Sequence, residues 1–60
     1  MSDNLPNDPI LLLSVVNMKL RDFYKDLDTL CQEMSVDKSK LIDKLADIDY
    51  EYDAKTNQFV

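Results

Sequence analysis

The chain has 60 residues, of which 45% are hydrophobic and 32% charged, with 12 acidic against 7 basic side chains for a formal net charge of −5. It contains no glycine and no histidine, one cysteine and two prolines. These figures allow one small domain and exclude a disordered segment, a membrane-spanning chain and a disulfide scaffold; carboxylates with Cys31 alone make a poor Zn²⁺ ligand set, and the acidic balance opposes binding to phosphate backbones.

In chain order, residues 1–7 are expected to fray, and Met1-Ser2-Asp3-Asn4 carries an acid where a secretory signal carries a base. Asn7-Asp8-Pro9 then starts a helix over about 9–22, with Asp8 as the cap and Pro9 in the first turn, where its missing N–H costs nothing. At 100° per residue, Leu12, Leu13, Val16, Leu20 and Phe23 form the core-facing stripe. A second apolar stripe of Leu11, Val15 and Met18, adjoined by Ile10, lies on another arc, and Ser14, Asn17 and Arg21 make the polar face.

Asp26 is placed to cap a short helix over about 27–34, whose apolar residues Leu27, Leu30, Cys31 and Met34 share a face, so Cys31 is expected to be buried. After Ser35-Val36, Asp37 caps a third helix over about 38–48 with Leu41, Ile42, Leu45 and Ile48 inward. Its other face carries Lys40, Asp43, Lys44 and Asp47 at spacings suited to ion pairs. The tail alternates with period two, which predicts a hairpin over about 50–59: Tyr52 opposite Asn57, Tyr50 opposite Phe59, the three rings inward, Glu51 and Gln58 in water.

The predicted fold is mainly α in a single domain, 1–60: a three-helix bundle whose second and third helices resemble a helix-turn-helix, followed by a small C-terminal β-hairpin in the order of a miniature winged helix. Charge decides between its uses. The third helix is neutral on its exposed face, and Asp49, Glu51 and Asp53 give the hairpin the sign that phosphates repel. The alternation Asp49-x-Glu51-x-Asp53 lacks the glycine and closing glutamate of a Ca²⁺ loop, so no metal site, no cofactor and no catalytic residue is expected, and the chain is read as a non-enzyme.

The leading expectation is therefore a protein-interaction or self-association module using Leu11, Val15 and Met18, with a second copy of the chain or another protein as partner. The competing possibility is that the chain's own N-terminal residues or hairpin cover that stripe. The alternative function is nucleic-acid binding or regulation through Lys38, Lys40 and Lys44. No membrane is implied, and a lone thiol without partners fits the cytoplasm.

Leu5-Pro6-Asn7-Asp8-Pro9, the run from Leu12 to Asp22, and the closing Asn57-Gln58-Phe59 together resemble a family of short bacterial proteins known only as a domain of unknown function. The resemblance implies a bacterial source and a compact stand-alone protein, and it carries no activity to any residue. In such sequences a glycine is expected after the third helix, where this chain has Asp49.

Overall fold

The structure is a computed structural model that describes residues 5–60. Helices α1 (Pro9–Asp22), α2 (Leu27–Met34) and α3 (Lys38–Ala46) precede strands β1 (Tyr52–Asp53) and β2 (Gln58–Phe59), which pair antiparallel. The architecture is mainly α, three helices and a small hairpin, as the periodicities predict.

Every helix starts on an aspartate. Asp8 accepts from the Ile10 N–H at 2.9 Å, Asp26 from the Thr29 N–H at 2.7 Å, and Asp37 from the Ser39 and Lys40 N–H groups at 2.9 and 3.3 Å. A carboxylate there satisfies donors that have no partner within the helix and opposes the positive end of its dipole.

Helix ends must be made without glycine. Ser35 after α2 and Asp49 after α3 take the left-handed conformation, at φ 56° and 65°. Each closes a pair of reverse hydrogen bonds: Val36 N–H to Cys31 C=O (2.9 Å) with Ser35 N–H to Gln32 C=O (3.4 Å), and Tyr50 N–H to Leu45 C=O (3.0 Å) with Asp49 N–H to Ala46 C=O (2.9 Å). The third helix ends at Ala46 and not at Ile48, because the Ile48 N–H reaches back only to Leu45 C=O, at 3.2 Å, and tightens the last turn.

The core joins Leu12, Val16 and Leu20 of α1, Leu27, Leu30 and Cys31 of α2, Leu41 and Leu45 of α3, and Phe59 of β2. Phe23, expected on the inward stripe, is instead 68% exposed. At φ −125° it has left helical geometry, so extrapolating the wheel fails there; its ring lies under the Lys19 ammonium, 5.6 Å from the centroid. Of the segment expected to fray, residues 1–4 lie outside the described residues, while Leu5 packs against the core.

The hairpin register differs from the predicted one by two residues. Tyr52 faces Phe59 and Asp53 faces Gln58, and beyond them Glu51 and Val60 exchange backbone hydrogen bonds of 3.0 and 2.9 Å. Asn57, at φ 57°, belongs to the turn, because its carboxamide is drawn to α1, where Nδ2 donates to Leu20 C=O (2.9 Å) and Tyr24 C=O (3.0 Å). An even shift preserves the faces, so the Tyr52 and Phe59 rings still meet, at 5.5 Å. It also removes Tyr50 from the ladder and leaves it exposed. Gln58, expected in water, is half-buried and donates from Nε2 to Asn17 C=O at 3.0 Å.

Candidate functional site

Helix α1 carries the rest of the molecule on part of its circumference: α2, α3 and β2 all pack against it. Leu12, Val16 and Leu20 point into the core. Next to them, Asn17 faces the hairpin. It was expected on the polar, solvated face, yet its Oδ1 accepts from the Phe59 N–H at 2.7 Å and its Nδ2 donates to the Phe59 C=O at 3.1 Å. Phe59 sits opposite Tyr52 between hydrogen-bonded pairs, where the strand's own N–H and C=O turn away from β1. The Asn17 carboxamide answers both and takes the place a third strand would occupy. An amide at the edge of an apolar stripe was the signal in the sequence, but nothing local names its partner 42 residues away.

The remaining arc of α1 faces solvent. Ile10 is 64% exposed, Leu11 57% and Met18 37%; Val15 is half-buried and does not join the side chains packed on the core. The predicted stripe Leu11, Val15 and Met18 thus forms one surface, with Ile10 and Ser14 on the same arc. The hairpin lies along the Asn17 side and Leu5 packs on the core, so neither of these covers it; residues 1–4 of the N-terminal segment lie outside the described residues.

The electrostatics of this surface are quiet. No charged residue lies on the outward arc from Ile10 to Met18. Beyond it, Arg21 and Asp22 neutralise each other through Nε–Oδ1 and Nη2–Oδ2 contacts of 3.0 Å. That hydrogen-bonded contact raises the Arg21 pKa and lowers the Asp22 pKa.

The three lysines proposed from the sequence do not form one basic strip. The Lys38 ammonium is drawn to Asp28 of α2 at 2.6 Å, and the contact raises its pKa. Lys44 donates to the backbone C=O and Oδ1 of Asn7 at 3.2 and 3.1 Å; it does not pair along its own helix as the spacing suggested. Lys40 stands on the rim of a cleft of about 230 Å³ between Leu5-Pro6-Asn7 and α3, floored by Leu12 and Leu41. The Asp37 carboxylate lines the same cleft.

Cys31 is buried in the core, and burial pushes its thiol pKa up. Among the described residues no three His, Cys, Asp or Glu side chains are grouped to hold a metal ion, and no helix is long and apolar enough to cross a membrane.

The family described as Domain of unknown function (DUF4250) matches residues 6–59. No curated protein and no solved structure matches the chain.

Proposed function

The chain belongs to the DUF4250 family, and we propose from its own geometry that it is a protein-interaction module that docks through the outward face of α1. One observation carries this: Ile10, Leu11 and Met18 lie open on one side of α1, with no charged side chain among them before the paired Arg21 and Asp22 a turn further on, in a domain small enough that each apolar side chain left out of the core is a sizeable loss. Leu11, Val15 and Met18 at i, i+4 and i+7 are the anchor spacing by which an amphipathic helix seats on a partner. No catalytic role is assigned, and the cytoplasm, which suits a reduced and buried Cys31, is the proposed compartment.

Nucleic-acid binding has less support. Lys38 and Lys44 are held by Asp28 and Asn7, and the hairpin carries Glu51 and Asp53 against Lys55.

Photo-crosslinking at the face tests the proposal. A photoreactive side chain at Ser14 is expected to capture a protein in cells, and Val15→Asp is expected to abolish the capture, while the same probe at Asp43 captures nothing. Capture at Asp43 but none at Ser14 overturns the proposal.

A further inference from the structure

We propose that the cleft between Leu5-Pro6-Asn7 and α3 is a binding site for a small amphipathic carboxylate: a short alkyl acid whose chain lies on Leu12 and Leu41 and whose head meets the Lys40 ammonium at the mouth.

The cleft is built by a tie between distant parts of the chain. Lys44 donates to the backbone C=O and to Oδ1 of Asn7, 37 positions earlier, and so fixes the N-terminal strap beside α3. Half-buried Leu5 and Val36 form apolar sides, and the floor is Leu12 and Leu41 of the core. A concave apolar lining with a few polar groups at its edge is the usual form of a small-molecule site. A cavity of about 150 Å³ takes benzene, so one of about 230 Å³ takes roughly nine or ten heavy atoms, the size of octanoate.

Charge selects the head group. The chain carries −5, yet the mouth of the cleft holds Lys40 and Lys44 against Asp37. Asp37 Oδ1 is engaged by the Ser39 and Lys40 N–H groups as the cap of α3, and Lys44 is turned to Asn7. The Lys40 ammonium has no hydrogen-bond or ion-pair partner among the described residues, and an anion seated in the cleft supplies one. The cap also occupies two N–H groups with which a helix start would grip the carboxylate of a peptide C-terminus. What is left to meet the head is an ammonium, a point charge that reads sign and not shape, which suits a simple alkyl acid.

Titration of the isotope-labelled full chain with sodium octanoate, followed by NMR, tests the proposal. Saturable shifts are expected at the Leu12, Val36 and Leu41 methyl groups and at the Lys40 side chain, with a dissociation constant of about 0.1–1 mM. Hexanoate, shorter by two methylenes, should bind about tenfold more weakly. Dodecanoate should gain little over octanoate, because the cleft is already filled. Octylammonium should bind the wild type about fivefold more weakly than octanoate, and Lys40→Glu, at an exposed position, should remove that preference.

Cleft shifts with this dependence on length and charge support the proposal. Shifts centred on Leu11 and Val15, or octylammonium binding as tightly as octanoate, overturn it, as does the absence of cleft shifts at about 10 mM octanoate. Acetyl-leucine binding the cleft more tightly than octanoate assigns it to a peptide C-terminus and overturns the alkyl acid.

Discussion

At the scale of single residues, Asn17 and Cys31 show how a side chain's worth depends on what it faces. Asn17→Ala leaves the Phe59 N–H and C=O without partners beside a buried ring, at about 1–3 kcal/mol for each orphaned group. Denaturant melts should show the loss, and the Phe59 amide should exchange with solvent faster than in the wild type; unchanged exchange would remove the clamp from the account. Cys31→Ser places a hydroxyl where the core offers apolar neighbours and is expected to cost about 1–3 kcal/mol. The same burial keeps the thiol protonated, so alkylation of the native protein should run far slower than in denaturant.

At the scale of elements, the corners rather than the helices carry the strain. Ser35 and Asp49 hold left-handed conformations that cost an ordinary residue about 1–2 kcal/mol, part of which glycine gives back through the entropy of the unfolded chain. Ser35→Gly and Asp49→Gly should each stabilise the protein by about 0.5–1 kcal/mol, read as a rise in Tm of a few degrees. A fall would mean that the side chains contribute more than their backbones cost.

The hairpin is an element that closes corners. Tyr52 accepts from the first N–H of α2, at Leu27, and donates to Asn57, whose amide reaches carbonyls at the end of α1. Truncation after Asn57 removes the Phe59 ring from the core and should lower the Tm clearly, since burying such a ring contributes about 1.5–3 kcal/mol.

The caps add a pH dependence. The hydrogen bonds from Thr29 hold the Asp26 pKa below the ordinary carboxylate value. A depressed folded-state pKa gives stability that is present above the unfolded pKa of about 3.9 and lost as pH falls through the folded one. Acid titration of Tm should therefore be shallower in Asp26→Asn, which still caps the helix but does not titrate.

At the scale of the whole molecule, association and stability are linked. A partner docked on α1 that binds only the folded chain raises its apparent stability by mass action, so the Tm of the wild type should climb when the protein captured at Ser14 is added, while that of Val15→Asp stays where it was. A Tm of the wild type that does not move on adding it would oppose docking through this face.

The sequence by itself determined whatever is written in local periodicity and caps: three helices starting after Asp8, Asp26 and Asp37, their inward leucines, the burial of Cys31, and a second apolar stripe of Leu11, Val15 and Met18 on α1, though not whether that stripe is covered. These follow from interactions within a few residues, and the helical repeat carries them. Only the tertiary structure decided what depends on partners distant in the chain. Asn17 left the solvated face because it meets Phe59, Asn57 shifted the hairpin register because it meets the end of α1, and Lys44 turned away from its own helix to Asn7. Each is a polar group whose hydrogen-bonding capacity is fixed by its type, while the group that satisfies it is fixed by how the elements pack.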